Sequence, residues 1–244
     1  MALIDIAKPY NIEITSKQEE KFENFYELLV FWNKKINLTA ITEKEDVYIK
    51  HFLDCIYLSR YVSDKIIDIG TGAGFPGIPL AIMNESLDIT LLDSLNKRCN
   101  FLSEVRNELN LNFEIICGRA EEIAREEQYR ERFDFAVSRA VAPLNILSEL
   151  CLPYVKKSGT FYSMKGSNAE KEVEEALGII AKLRGDSPKI TKYFLPDNIE
   201  HCLSPQEANP IGAGEGQQRC IVEIKKNKNT PTIYPRQFNQ IKKG

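Results

Sequence analysis

Residues 65–77 read Lys65-Ile66-Ile67-Asp68-Ile69-Gly70-Thr71-Gly72-Ala73-Gly74-Phe75-Pro76-Gly77. The first five fit a buried strand. Three glycines at alternate positions then make a tight turn, and the helix that follows is punctuated by Pro76 and Pro79. Such a turn lets a ligand lie against bare backbone, with the N–H groups of a helix start aimed at it. Twenty-three residues after Gly70, a second apolar run, Ile89-Thr90-Leu91-Leu92, ends in Asp93. A carboxylate at that strand end can accept hydrogen bonds from both hydroxyls of a ribose. The pattern describes a site for a nucleoside-bearing cofactor.

Outward from this motif, strands and helices alternate. Strands are expected at 65–69, 88–92, 112–117, 133–138, 158–164, 189–195 and 219–225, and helices near 76–84, 95–110, 120–128, 143–152 and 168–183. Such alternation predicts an α/β fold with a mostly parallel, seven-stranded sheet and helices on both faces. Four polar features fall at expected strand ends, where ligands of such sheets bind. These are the glycine turn, Asp93, Gly118-Arg119-Ala120-Glu121 and Ser138-Arg139-Ala140. Residues 1–62 read as a helical segment packed on the core, and 63–244 as the main domain with a basic tail. Thr15 with Gln18 and Thr42 with Glu45 have capping-box spacing. Phe22, Phe25, Tyr26 and Leu29, then Leu53, Ile56 and Tyr57, recur at helical spacing and read as core. Residues 199–218 hold Pro205, Pro210 and three glycines without periodicity, a long loop of a kind that is often mobile or functional.

Composition narrows the class. The 244 residues are 43% hydrophobic and 27% charged, ordinary for a soluble globular chain of one domain plus an accessory segment. No apolar run approaches the roughly 20 residues a membrane span needs, and the start lacks the pattern of a signal peptide. A cytoplasmic protein with no membrane association is expected. Six scattered cysteines without a Cys-x-x-Cys pair, and only His51 and His201, give no zinc-like spacing. Free thiols and no metal are expected. The formal charge is −3, but residues 219–244 carry +6, which leaves −9 elsewhere. That tail is either a local phosphate patch or a solvated basic terminus.

Two cofactor classes use this architecture. The dinucleotide frame Gly-x-Gly-x-x-Gly, begun at Gly70, fails at Phe75, while a shifted frame from Gly72 to Gly77 fits but starts two residues late. An NAD-dependent oxidoreductase is the reading that frame supports. The first motif of S-adenosylmethionine-dependent methyltransferases, an acid before Gly-x-Gly-x-Gly, resembles Asp68-Ile69-Gly70-Thr71-Gly72-Ala73-Gly74 in frame. Here Asp68 can meet the donor's ammonium, directly or through water, and backbone N–H groups can take its carboxylate. The alternative for Asp68 is a cap for the turn.

The chain as a whole resembles the small-subunit ribosomal RNA methyltransferases G, also called glucose-inhibited division protein B. The likeness runs through Asn37-Leu38-Thr39-Ala40-Ile41-Thr42, His51-Phe52-Leu53-Asp54, Asp68 to Leu80 and Leu91-Leu92-Asp93-Ser94-Leu95-Asn96-Lys97-Arg98. It continues through Gly118 to Glu121, Ser138 to Ala142, Lys165-Gly166, and Thr230-Pro231 with Tyr234-Pro235-Arg236. The resemblance implies a Rossmann-like methyltransferase fold and transfer from S-adenosylmethionine to N7 of guanine 527 in 16S ribosomal RNA, as free RNA or in the 30S particle. By carry-over, Gly70, Phe75, Asp93, Ser94, Leu95, Ala120, Glu121 and Arg139 contact the donor. Arg139 could instead hold an RNA phosphate or the O6 edge of guanine. Lys165, Lys225, Lys226, Lys228 and Arg236 are candidates for RNA phosphates. His51 and Asp54 read as a hydrogen-bonded pair fixing the helical segment to the sheet, or as part of the substrate entrance. Guanine N7 bears a lone pair and no proton, so no catalytic acid or base is named. A monomer is expected. A non-catalytic RNA-binding assembly factor with a vestigial pocket is the remaining alternative, and the long 199–218 connection is the expected departure from the family.

Overall fold

Thr15 starts the first long helix. Its hydroxyl accepts from the Gln18 amide at 3.3 Å, and Gln18 Oε1 accepts from the Thr15 amide at 2.8 Å. This reciprocal cap, worth about 1 kcal/mol, fixes α2 (Ser16–Ile36) behind the short α1 (Leu3–Ala7). Asn37 ends α2 in the left-handed region, φ +49°, and turns the chain into residues 38–42. The second expected cap is absent. Glu43, not Thr42, precedes α3 (Lys44–Val47), and it makes no side-chain cap. From there the chain stays helical through a π-helical stretch, Tyr48–Leu53, α4 (Asp54–Tyr57) and a 3-10 turn, Leu58–Tyr61.

The computed structural model describes residues 2–139, 141–198 and 216–243. After the helical segment come β1 (Lys65–Ile69), α5 (Gly77–Met83), β2 (Asp88–Asp93), α6 (Asn96–Glu108), β3 (Glu114–Cys117), α7 (Ala120–Ile123) and β4 (Phe133–Arg139). Then follow α8 (Leu144–Cys151), β5 (Val155–Lys165), α9 (Ala169–Lys182), β6 (Lys189–Leu195), β7 (Gln217–Lys225) and α10 (Phe238–Ile241). The seven strands lie in the order β3-β2-β1-β4-β5-β7-β6. All pairs are parallel except those made by β7, which runs antiparallel to both neighbours.

Alternation along each strand divides the apolar residues between two layers. Ile66, Leu91, Val137 and Tyr162 meet the N-terminal helices through residues such as Phe25 and Phe52. Ile67, Leu92, Ala136 and Phe161 meet α8 and α9 through Leu147 and Ile180. The same parity sends Arg139, two residues past Val137, toward the N-terminal helices, and Lys165, four past Phe161, toward α9. Helix α7 is much shorter than expected. Residues 125–128 are all exposed, offering no apolar stripe to bury, and the chain continues in turns.

Candidate functional site

The glycine turn is fastened from below. Gly70, Gly72 and Gly74 have φ of +69°, +61° and +88°, a region that favours glycine. The amides of Gly70 and Thr71 donate to Leu92 O at 2.8 and 3.1 Å, locking the turn to the end of β2. Asp68 is fully buried beneath it. Its Oδ2 accepts from Thr71 Oγ1 at 2.6 Å and from the Gly77 amide at 2.8 Å, so it caps α5. Glycine is required at 77, because a Cβ there would stand 2.1 Å from Leu91 Cδ2. Asp68 Oδ1 has no partner among the described residues. Burial pushes the carboxyl pKa up to about 7, against the pull of the Thr71 and Gly77 hydrogen bonds.

Asp93 closes the next strand, also buried. Its Oδ2 accepts from the Gly72 amide at 2.9 Å and from Arg98 Nη1 at 3.2 Å, and its Oδ1 from the Leu95 amide at 3.0 Å. A carboxylate oxygen has two lone pairs, so Oδ1 keeps one. The Gly118 amide donates to Asp93 O at 3.0 Å, which brings the start of α7 alongside.

These strand ends enclose a cavity of about 380 Å³, within the roughly 300–1,000 Å³ typical of small-molecule sites. Gly70 and Gly72 line it beside Asp93 and Ser94, with Ala120 and Glu121 along one rim and Phe75 and Arg139 toward the next strand. Three expected residues stand outside the lining. Asp68 and Gly74 lie behind the turn, and Leu95 is half exposed, contributing only the amide that orients Asp93. Others were missed. Leu38 and Thr39 reach over from the loop after α2, Arg98 from the first turn of α6, and Phe238 from α10. The first three lie inside sequence blocks already singled out, whereas nothing in the sequence marks Phe238.

Arg139 is the junction of the site. Nη1 donates to Lys50 O at 3.0 Å and to Asp54 Oδ2 at 3.1 Å, and Nη2 to His51 Nδ1 at 3.0 Å. The guanidinium carbon stands 4.9 Å from the centre of the Phe75 ring. His51 and Asp54 therefore do not pair with each other; both fix the helical segment to the sheet through Arg139. A guanidinium only donates, so His51 Nδ1 accepts and its proton sits on Nε2, 2.9 Å from Thr39 Oγ1. Burial, reinforced by the Arg139 charge, pushes His51 down to about 3 and keeps it neutral. Asp54 Oδ1 accepts from Tyr193 OH at 2.6 Å and lies 3.7 Å from Arg219 Nε. Beyond Arg139 opens a second cavity of about 510 Å³ between the ends of β4 and β5. His51, Arg139 and Val141 line both cavities.

The basic candidates divide sharply. Lys226 departs from the expectation of a phosphate contact: its side chain is fully buried, and its ammonium donates to Glu131 Oε1, Leu152 O and Val155 O at 2.7, 3.0 and 2.7 Å. Arg236 grips Glu149 through Nε and Nη2. Lys165 lies in the second cavity with its side chain only 7% exposed, 2.7 Å from Glu172 Oε2. Lys225 and Lys228 are exposed. Cys55, Cys99, Cys151 and Cys220 are buried free thiols and Cys117 is an exposed one. His201, Cys202 and most of the expected 199–218 loop, like Ala140, lie outside the described residues. Among the described residues, no cluster of three or more His, Cys, Asp or Glu could hold a metal, and no helix is long and apolar enough to cross a membrane.

The model of the rRNA small subunit methyltransferase G family matches residues 18–193. A ribosomal RNA small subunit methyltransferase G from Thermoanaerobacter sp. (strain X514) is 44% identical over 99% of this chain and 96% of its own length. The protein of the same name from Macrococcus caseolyticus is 45% identical over 97% and 94%. Among solved structures, an O-methyltransferase from Bacillus cereus in complex with SAH superposes with a TM-score of 0.53 at 17% identity, covering 88% of this chain and 93% of that one. A SAM-dependent O-methyltransferase from Thermotoga maritima gives 0.50 at 16%, covering 83% and 72%. At that distance the likeness concerns the fold, and the fold is that of the S-adenosylmethionine-dependent methyltransferases.

Proposed function

The chain belongs to the ribosomal RNA small subunit methyltransferase G family, and on that premise we propose that it transfers the methyl group of S-adenosylmethionine to N7 of guanine 527 in 16S ribosomal RNA. The observation that carries this reading is the family match together with a nucleoside-sized cavity at the glycine turn, Asp93 at its wall. The dinucleotide reading falls with it. The family that matches is one of methyltransferases, not of dinucleotide-dependent oxidoreductases.

The residues present suit the donor. Asp68 lies outside the cavity lining, but its Oδ1, buried and without a partner among the described residues, suits a cation such as the donor's ammonium, met through a water. Asp93 offers its remaining lone pair to a ribose hydroxyl, and Arg98, its side chain partly exposed, can swing aside to release more. Ala120 and Glu121 border the adenine end. Gly70, Gly72, Ser94 and Phe75 surround the space between, Gly74 shapes the turn, and Leu95 holds Asp93. When bound, S-adenosylmethionine supplies an electrophilic methyl on a positively charged sulfur.

Guanine N7 loses no proton on attack, so the chain needs no general base. Its task is to align nitrogen, carbon and sulfur and to exclude water, an effect that supplies on the order of 7–11 kcal/mol in well-oriented reactions. Positive charge moves onto the purine during transfer. Arg139 would oppose that movement if it were unpaired, but Asp54 compensates it at 3.1 Å. We assign 1–62 as a helical segment that carries His51 and Asp54 to the site, and 63–244 as the methyltransferase domain. The protein acts as a monomer in the cytoplasm, on 16S RNA or the 30S particle, with Lys225 and Lys228 near RNA phosphates.

Nucleoside mass spectrometry of 16S RNA from cells with and without the protein is the test. Loss of one 7-methylguanosine is expected. An unchanged nucleoside profile, with RNA binding retained, would favour the non-catalytic assembly factor. Calorimetry should show S-adenosylmethionine binding and no response to NAD.

A further inference from the structure

The second cavity has polar groups that the donor site does not use. Lys165 ends β5 and Glu172 stands in the first turn of α9. Glu172 Oε2 accepts from the Leu144 amide at 2.8 Å and forms an ion pair with Lys165 Nζ at 2.7 Å. Lys165 Nζ also donates to Ala142 O at 2.7 Å. An ammonium has three protons and a carboxylate two oxygens. Among the described residues, Lys165 Nζ keeps a proton beyond its contacts with Ala142 O and Glu172, Glu172 Oε1 accepts no hydrogen bond, and both residues line the cavity. The pair thus presents a donor next to an acceptor. Ile41, Pro143 and Met164 supply apolar lining for the faces of a flat ring.

We propose that this cavity receives the target purine and that Lys165 and Glu172 read its six-membered ring, Lys165 donating to O6 and Glu172 accepting from N1–H. This assignment rests on the proposed guanine-N7 methylation and deepens it. Guanine presents acceptor then donor along that edge, whereas adenine presents the reverse, an amino donor beside an N1 acceptor. Adenine would therefore face Lys165 with N–H and Glu172 with a lone pair, leaving both members of the pair unsatisfied. In a base held by O6 and N1–H, N7 lies next to O6 on the side away from N1, and the transfer requires that side to face the wall of His51, Arg139 and Val141 shared with the donor cavity. Val141 is 43% exposed and has no polar tie, so it is the part of that wall that gives way. Four cations line the cavity, and each has a carboxylate near it: Lys165 faces Glu172, Lys50 faces Asp46 at 2.7 Å, and Arg139 and Arg219 share Asp54 at 3.1 and 3.7 Å. A ring gaining positive charge then meets no bare cation.

The experiment uses 30S particles reconstituted with ligated 16S RNA carrying guanine, inosine, 2-aminopurine or adenine at the target. Transfer of labelled methyl is measured with the full-length protein, and donor affinity by calorimetry. Inosine keeps O6 and N1–H and should be methylated within about tenfold of guanine. Adenine and 2-aminopurine, which lack both, should fall by about 10³-fold or more, in line with sites built to hydrogen-bond their substrate. Glu172→Gln should bind the donor within about twofold of the parent, lose about 10²-fold on guanine, and narrow the guanine-to-adenine ratio. Equal methylation of inosine and 2-aminopurine would overturn the assignment. So would a Glu172→Gln protein that lowers all four bases by one factor, since a brace for α8 would do that. If the variant does not fold, the base series with the parent protein decides alone. Failure of the parent to bind donor or to label natural particles would instead sink the methyltransferase reading, and this assignment with it.

Discussion

Arg139 and Lys226 are both buried cations paired with a carboxylate, and the sequence marks both as possible RNA contacts. Their surroundings differ in one respect. Lys226 has three protons and three acceptors, and no side-chain surface left. Arg139 has five N–H groups, of which Lys50, Asp54 and His51 take three, and it lines two cavities. The first is a closed account and holds the end of β7 to the turn after α8. The second keeps donors in reserve where two cavities meet. The contrast predicts that a buried charge reports function when its partners do not exhaust it.

That contrast can be broken most directly by removing Asp54. Asp54→Ala leaves Arg139 buried without its counter-charge, which costs about 3–5 kcal/mol in comparable pairs, readable by denaturant unfolding. The double variant Arg139→Met with Asp54→Asn should recover most of that stability yet remain about 10²-fold or more impaired in methyl transfer. Recovery of both would make Arg139 as purely structural as Lys226. For Lys226→Met a loss of about 3 kcal/mol is expected, because Glu131 and two carbonyls lose their donor. The donor affinity of the folded protein should stay unchanged by calorimetry, and a tenfold loss would erase the distinction.

The difference between these two residues was only partly legible in the sequence. Strands 65–69 and 189–195 stand where their apolar runs place them, because local pattern and tertiary burial agree there. Strand β5 begins three residues early, as Val155 pairs with Phe133 across an irregularity in β4 that no periodicity reveals. The turn, Asp93 and the Ala120–Glu121 rim were legible because each sits at a strand end. Lys226 also left a signal. Cys220, Val222 and Ile224 face inward along β7, and the same parity carries inward to 226. Composition, read as a basic tail, hid it. The Arg139 junction left none, since its partners come from residues 50–54, more than eighty positions away, and no local rule aligns them. The Lys165–Glu172 pair was half visible, the lysine noted and the glutamate lost among the acids of α9.

Asp68 sharpens the comparison at an intermediate scale, as a buried anion with one oxygen left over. Its folded pKa of about 7 lies above the ordinary value of 3.8, so in that window the folded state holds a proton that the unfolded chain has released. Its contribution to stability is therefore present below about pH 4 and lost as pH rises toward 7. A cation placed at Oδ1 favours the ionised form and expels that proton. Donor affinity should then rise by up to about tenfold per pH unit below 7 and level off above it. Asp68→Asn can keep one oxygen on Thr71 and Gly77, and so the cap, while turning an amide toward the donor. Calorimetry from pH 5.5 to 8.5 should show weaker binding and a flat profile. A flat profile in the parent protein would mean that the ammonium is held elsewhere.

The exposed lysines make the opposite extreme, paired weakly at the surface at most and with little desolvation to offset. Lys225 lies 3.6 Å from Glu223 with its side chain 58% exposed, and such surface pairs contribute about 0–1 kcal/mol. Lys225→Gln with Lys228→Gln should leave stability within about 0.5 kcal/mol of the parent. If both lysines meet phosphates, the slope of log affinity for RNA against log salt should fall by roughly 0.7–0.9 for each lysine removed. Since Lys226 and Arg236 are spent internally, the tail has fewer cations to offer than its formal charge suggests, and that slope should be modest from the start. A double variant whose slope matches the parent would place the RNA backbone on another face of the protein, while the buried cations kept their roles.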